Sequence, residues 1–238
     1  MWKLFLNNMK LASLFSGGKD SAYSIFLAKH HGHQINCLVS IFPKSDESHL
    51  LHHPNLKWTN LQSESMKIPQ ITIASGSNDT SEELKVIEEM LVRAKHDYCI
   101  EGIVHGGIKS KFQKDAFETL CDKLNLKLIS PLWDLEPKKY LNDLISSNFV
   151  FIITSVSSGG LDDSWLGKQI GPNELDHLQT LSEKFGFNLN FEGGEAETFV
   201  INCPLFSNPI EILKEEKSWD GYRGRFEILD ARLKFDVR

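Results

Sequence analysis

The sequence predicts an α/β protein: a doubly wound, parallel, five-stranded sheet followed by a smaller α+β C-terminal lobe. Three observations carry this. Over residues 10–131 short apolar runs alternate with helix-period patterns, giving βαβαβαβαβ, and such alternation implies a parallel sheet with helices on both faces. Right-handed crossovers then restrict the topology to a doubly wound sheet. From about residue 132 the pattern becomes helices mixed with several strands, as in a lobe with antiparallel pairs. The chain has 238 residues, a length that suits one large domain or two small ones, and the change of pattern divides it into 1–131 and 132–238.

Each element has a local reason. Residues 10–15 read as a strand, and a Gly-Gly turn leads into a helix from about Ser21 that buries Ala22, Ile25, Phe26 and the stem of Lys29, with Gly32 as its stop. Residues 35–42 are an apolar strand, 54–66 a helix and 70–74 a β-rich run. Thr80 and Glu83 read as a capping-box pair, and Leu84, Ile87, Leu91 and Ala94 repeat on one helix face. Residues 100–104 are the next strand. Phe112, Ala116, Leu120 and Leu124 mark a helix by their spacing of four, packing Phe112 in the core, and residues 127–131 close the series. In the second part, 137–147 and 173–185 read as helices, and 149–156, 188–191, 198–203, 210–213 and 226–235 as strands.

Hydrophobic residues make up 41% and charged residues 24%, an ordinary globular composition that excludes collagen-like, disordered and disulfide-scaffold classes. No apolar stretch is long enough to span a bilayer and the N-terminus lacks a small-residue cleavage site, so no membrane association and a cytoplasmic location are expected. Cys37, Cys99, Cys121 and Cys203 are too scattered for a zinc or CxxC motif and read as small buried apolar residues of a reducing compartment. The net charge of −6 argues against direct nucleic-acid binding.

The sharpest motif is Ser16-Gly17-Gly18-Lys19-Asp20-Ser21, between a predicted strand and a predicted helix. Two glycines let the backbone approach an anion, the helix N-terminus supplies N–H groups and a positive dipole end, and the serines and Lys19 add donors and charge. It is not a Walker A loop, because GxxxxGK[ST] is absent. In a doubly wound sheet ligands sit beyond the carboxyl ends of the strands, where this loop falls. Ser110 and Gln113 lie beyond another such strand end.

SGGKDS resembles the signature of the PP-loop ATP pyrophosphatases, which cleave ATP between the α and β phosphates. Residues 192–206, with EGGEAETF and then CPLF, resemble the EGGE-x-ETF…CPLF signature of the diphthine–ammonia ligase family. SGGLDDSWLGK at 158–168 is similar to that family's GLD…LG segment, HGGIKSKFQ at 105–113 to its GAI-x-S-x-Y-Q stretch, and residues 130–133 to its PLW. SHLLHHPN at 48–55 sits where archaeal members carry a similar run. Lys111, Phe112 and Lys114 depart from the acid or Arg, the Tyr and the Arg expected there.

The resemblance implies a HUP-like sheet of the adenine nucleotide alpha hydrolase type and the following reaction. ATP adenylates the carboxylate of diphthine, a modified histidine on translation elongation factor 2; ammonia displaces AMP to give diphthamide, and pyrophosphate departs. The cofactors implied are ATP and Mg2+, and the partners are elongation factor 2 carrying diphthine and ammonium; a homodimer is allowed. Ser16, Gly17, Gly18, Lys19, Asp20, Ser21, Gly106, Gly107, Ser110 and Gln113 are the implied ATP-binding residues, with Asp20 also a magnesium ligand. Lys19, Asp20, Glu192, Glu195 and Glu197 are the implied catalytic residues; side chains two apart on a strand share a face, so Glu195 and Glu197 are expected to converge. His49, His53, Asn55, Gly193, Gly194 and Thr198 are implied in substrate binding.

Three other groups compete for a role. His30, His31 and His33 read first as a helix C-terminus favoured by its dipole rather than a metal cluster. Trp133 and Trp165 offer cation–π faces to a trimethylammonium group, although large aromatics more often lie in the core. Other readings of the whole chain are another PP-loop ATP pyrophosphatase, such as a tRNA-modifying enzyme, and a non-catalytic nucleotide-binding module. Residues 1–131 hold 15 basic and 14 acidic side chains, and residues 132–238 hold 11 and 18. The acidity therefore belongs to the second part, where a cationic substrate would enter.

Overall fold

The computed structural model describes residues 8–42, 55–74 and 79–235. The first sheet contains β1 (Lys10–Leu14), β2 (Gln34–Phe42), β3 (Gln70–Ala74), β4 (Gly102–Val104) and β5 (Lys127–Ile129). All neighbours are parallel and the order is β3-β2-β1-β4-β5. The strands alternate with α1 (Lys19–His30), α2 (Thr59–Met66, entered through a 3-10 turn at Leu56–Trp58), α3 (Thr80–Tyr98) and α4 (Lys111–Leu124). On one face Ala12, Val39, Ile41 and Ile71 pack with Ile87, Leu91 and Ala94 of α3 and Phe117 and Leu120 of α4. The other face carries α1, whose Ala22 and Ile25 join a core shared with the C-terminal elements. The chain runs outward from β1 to β3 and then crosses back to β4, so the switch point lies between β1 and β4.

The C-terminal elements are α5 (Pro137–Ser146), β6 (Val150–Val156), α6 (Pro172–Phe185), β7 (Ala196–Asn202), β8 (Ile210–Trp219) and β9 (Gly224–Leu233). The strands form a second sheet, ordered β7-β6-β9-β8, with every neighbouring pair antiparallel. An aromatic cluster fastens the two parts. Tyr23 and Phe26 of α1 lie against Phe149, at 5.2 and 5.6 Å between ring centres, and Tyr23 lies 5.7 Å from Tyr140 of α5.

Several expectations are corrected. Lys29 is exposed, and Ala28 is the buried residue in that turn, because the inner edge of α1 runs 22-25-28. The N-cap of α3 is Asp79, whose carboxylate accepts from Ser81 N and Glu82 N; Glu83 is instead fully buried. Phe112 is 57% exposed. It stands on the first turn of α4, and the buried face of that helix begins at Phe117. Residues 188–191 are a turn, not a strand. Leu189 and Phe191 are both buried, which produces the strand-like alternation, but Phe191 has φ +65° and breaks the extended path. β8 runs well past residue 213, its Lys-Glu-Glu-Lys run staying exposed on an edge strand, where charge discourages pairing with another chain. Cys37, Cys121 and Cys203 are buried, with thiols pushed up to about 12 by burial, but Cys99 is exposed. Among the described residues no helix is long and apolar enough to cross a membrane.

Candidate active site

The site lies at the switch point, where β1 turns into α1. Gly17 takes φ +81°, and a Cβ there would meet Gln62 Oε1 at 2.6 Å and Thr59 Cγ2 at 2.9 Å; only glycine fits. Gly18 is the N-cap of α1 and has no side chain of its own to cap it. The Ser16 and Ser21 hydroxyls bond each other at 3.2 Å beside it. A helix N-terminus with glycine at its N-cap, flanked by glycine backbone and two hydroxyls, is a donor set suited to a phosphate chain.

The second sheet grips this loop. Val200 N of β7 donates to Gly17 O at 3.0 Å, and Lys19 N donates to Thr198 Oγ1 at 3.1 Å. Gln62 Nε2 of α2 donates to both Gly17 O and Val200 O, at 2.9 and 2.8 Å. The outer edge of β7, which a sheet would otherwise leave open, is thus closed by the loop itself.

Lys19 is 2% exposed. Its Nζ donates to Asp20 Oδ2 at 3.0 Å and to Asn190 O at 2.8 Å, and lies 5.3 Å from the centre of the Phe191 ring. The other oxygen of Asp20 accepts from the hydroxyl of Tyr140. Burial, and then the neighbouring Asp20 charge, push the Tyr140 phenol well above its ordinary range, so it remains a donor.

The loop after β4 closes the other side. A Cβ on Gly106 would lie 2.6 Å from the carbonyl carbon of Asp20 and 2.7 Å from Ser21 N. His105 is buried, and desolvation pulls its imidazole down to about 4. Its Nδ1 accepts from Gly107 N at 3.1 Å, which leaves Nε2–H to donate to Ser130 Oγ at 2.7 Å. Ser110 caps α4, accepting from Gln113 N. Glu192 reaches this loop from the far side: its two oxygens accept from Ile108 N at 2.8 Å and Lys109 N at 3.1 Å. Burial raises the Glu192 carboxyl above its ordinary value and the Asp20 charge adds to this, while the two N–H donors and Lys19 oppose it.

Glu192 and Glu195 are held by different partners. Glu195 precedes β7 and folds into its own turn, accepting from Asn188 N and Nδ2 and from Gly193 N. Glu197 lies within β7, in register with Ser155. Alternation along the strand places it on the opposite face from Thr198. Gly193 and Gly194 are exposed in the same turn, Gly194 with φ +78°.

Asn55 is buried and clamps β9, donating to Phe226 O at 2.9 Å and accepting from Ile228 N at 2.7 Å; both ends of its amide are engaged. His49 and His53 lie outside the described residues. Trp165 is buried, with Lys168 Nζ 4.8 Å from its ring centre, and Trp133 carries Lys114 Nζ at 4.4 Å. His33 turns inward and accepts from Met9 N, whereas His30 stacks on Phe26. Among the described residues no three His, Cys, Asp or Glu side chains converge as a metal site.

Four residues of this site escape a reading of the sequence. Gln62 and Tyr140 are single polar positions on otherwise ordinary helices. Asn190 stands between Leu189 and Phe191, whose apolar alternation imitates a strand. His105, beside Gly106 and Gly107, is the one that motif adjacency points to.

Two family models match the chain: the diphthamide synthase N-terminal domain over residues 9–128 and the diphthamide synthase C-terminal domain over residues 136–233. The chain belongs to the diphthamide synthase family. A diphthine–ammonia ligase of Rattus norvegicus is 36% identical over 222 residues, covering 86% of this chain and 83% of that one. The Homo sapiens diphthine–ammonia ligase is 35% identical over 226 residues, covering 87% and 84%. The Saccharomyces cerevisiae diphthine–ammonia ligase is 29% identical and covers 95% of this chain, which spans 37% of the yeast protein. Membership in the diphthamide synthase family therefore rests on both parts of the chain, the loop-bearing sheet and the lobe that grips it.

Proposed function

We propose that this chain is a diphthine–ammonia ligase. It joins ammonia to the diphthine carboxylate of elongation factor 2 through an acyl-adenylate, with ATP as the source of AMP and pyrophosphate. Beyond family membership, one observation supports this most. The SGGKDS loop and the segment leading into the EGGE turn, far apart in sequence, meet at the switch point: Lys19 bonds Asn190 O, and Glu192 bonds Ile108 N and Lys109 N in the loop whose Gly106 lies against Asp20 and Ser21. Family membership also favours this reading over a tRNA-modifying enzyme or a bare nucleotide binder.

A carboxylate does not react with ammonia at a useful rate, and adenylation turns one of its oxygens into a leaving group. The protein's work is positioning and charge stabilisation. In this reading residues 1–131 bind ATP and residues 132–238 receive the modified histidine. Ser16, Gly17, Gly18, Lys19 and Ser21 hold the β and γ phosphates, and Gly106, Gly107, Ser110 and Gln113 border the nucleotide. Asp20 keeps 32% of its side chain exposed, and Mg2+ is ordinarily held by one or two carboxylates plus phosphate oxygens and water, so Asp20 suits a magnesium that would neutralise phosphate charge. Glu192, held at the rim with a raised pKa, takes the proton that ammonium must lose before nitrogen can attack. A translation factor as substrate places the reaction in the cytoplasm.

Incubation with ATP, ammonium and diphthine-bearing elongation factor 2 is expected to yield AMP and a factor lighter by the difference between OH and NH2. AMP formed only with tRNA, or none under any condition, would contradict this. Gly106→Ala in the same assay should lower AMP formation by about a hundredfold, the order expected when reacting groups move by about an ångström. The added Cβ can be accommodated only by displacing the first turn of α1. An unchanged rate would show that the β4 loop does not set the position of the nucleotide loop.

A further inference from the structure

We infer that Tyr140 is a positioning residue for the nucleotide loop, through which α5 fixes the direction of the Lys19 ammonium. This rests on the reading of that loop as the holder of pyrophosphate. An ammonium has three N–H donors. Two of them are committed, to Asn190 O and to Asp20 Oδ2, so the direction of the third is set wherever those two acceptors are fixed. Asn190 O is fixed by the backbone, and Asn190 itself is 2% exposed. Asp20 is a partly exposed side chain on the first turn of α1, and the bond its carboxylate makes within that helix is to Lys19, the group to be positioned. The restraint comes from Tyr140, 1% exposed, whose hydroxyl donates to Oδ1.

The phenol is held in turn. Its ring packs with Tyr23, and Tyr23 packs on Phe149, which immediately precedes β6. The path runs from the lobe core, through Tyr140 and Asp20, to Lys19. Rotation of Asp20 about its χ angles would release the lysine onto Asn190 O alone and scatter its third N–H. A preorganised donor stabilises developing charge without reorganising during reaction, and that advantage is what the hydroxyl preserves. The ring of Tyr140 serves packing, whereas the single oxygen serves the loop, so Tyr140→Phe separates the two.

The test measures pyrophosphate binding by calorimetry for the full chain, Tyr140→Phe, Asp20→Ala and the double variant, with thermal unfolding of each. Tyr140→Phe is expected to weaken pyrophosphate binding about tenfold, the order of a charge-assisted hydrogen bond misplaced, with its unfolding midpoint within a few degrees of the parent. In the Asp20→Ala background it should have no further effect, because the link it acts through is already removed. An unchanged affinity in Tyr140→Phe, or an equal loss in both backgrounds, overturns the inference. So does a loss that simply tracks a large fall in the midpoint. Pyrophosphate binding does not require the protein substrate, so failure of the amidation assay with this coupling intact would refute the ligase reading alone. A parent chain that does not bind pyrophosphate would refute the reading of the loop and this inference together.

Discussion

Lys19→Ala should lower AMP formation by about a thousandfold, the upper range for removing one preorganised donor from a developing anion. The lysine is nearly fully buried, and both of its side-chain acceptors, Asp20 and Asn190 O, belong to the site. Among the described residues, the nearby lysines are engaged elsewhere: Lys109 and Lys111 are exposed, and Lys114 lies over Trp133. Because alanine also removes the buried stem, Lys19→Met provides the control for packing. It fills the volume of the stem and removes the ammonium, with its charge and its N–H donors. Both variants should lose pyrophosphate binding and AMP formation together. Retention of either in a folded Lys19→Met protein would show that the loop acts through its backbone alone.

Glu192→Gln should lower amide formation by about a hundredfold, the lower range for loss of a general base. The amide oxygen can still accept from one of the two backbone N–H groups, so the structural loss is one hydrogen bond of about 1 kcal/mol. That corresponds to roughly a fivefold effect on nucleotide binding. An amidation defect much larger than the ATP-binding defect therefore separates proton transfer from positioning. The pH dependence carries the same sign. Glu192 must be ionised to take the ammonium proton, and its pKa is raised above 4.5 chiefly by burial, so activity should rise with pH through a limb above 4.5 that Glu192→Gln abolishes. For stability the direction is opposite. A carboxyl whose folded pKa is raised favours the fold below its ordinary value and loses that contribution as pH rises through the raised one. Thermal unfolding of Glu192→Gln should be flatter with pH across that window, and a parallel profile would assign the raised pKa to another group.

The sheet was legible because its signals are local. The apolar runs at β1 to β5 and the helix period of α3 are set by backbone periodicity, and the loop at residues 16–21 announces itself by composition. The failures share a cause of another kind. Phe112 fits a helical spacing, yet its turn has no buried neighbours, so periodicity fixed its angle but not its burial. Leu189 and Phe191 alternate as in a strand, but the pairing of Glu195 with Asn188 and Gly193 bends that segment into a turn. Adjacency in sequence does not decide where the acidic side chains of residues 192–197 point. In the fold Glu192 faces the β4 loop, Glu195 closes its own turn, and Glu197 sits on the opposite face of β7 from Thr198. Tyr140 carried no signal, because its partner Asp20 is 120 positions away.

The most direct measurement follows oxygen from substrate to product. Elongation factor 2 bearing diphthine with a heavy-isotope carboxylate is incubated with ATP, ammonium and the protein, and the released AMP is analysed by mass spectrometry. If the carboxylate attacks the α-phosphorus and ammonia then expels AMP, each AMP carries one heavy oxygen and the pyrophosphate carries none. Unlabelled AMP, or label in pyrophosphate or inorganic phosphate, would contradict an acyl-adenylate formed at this loop.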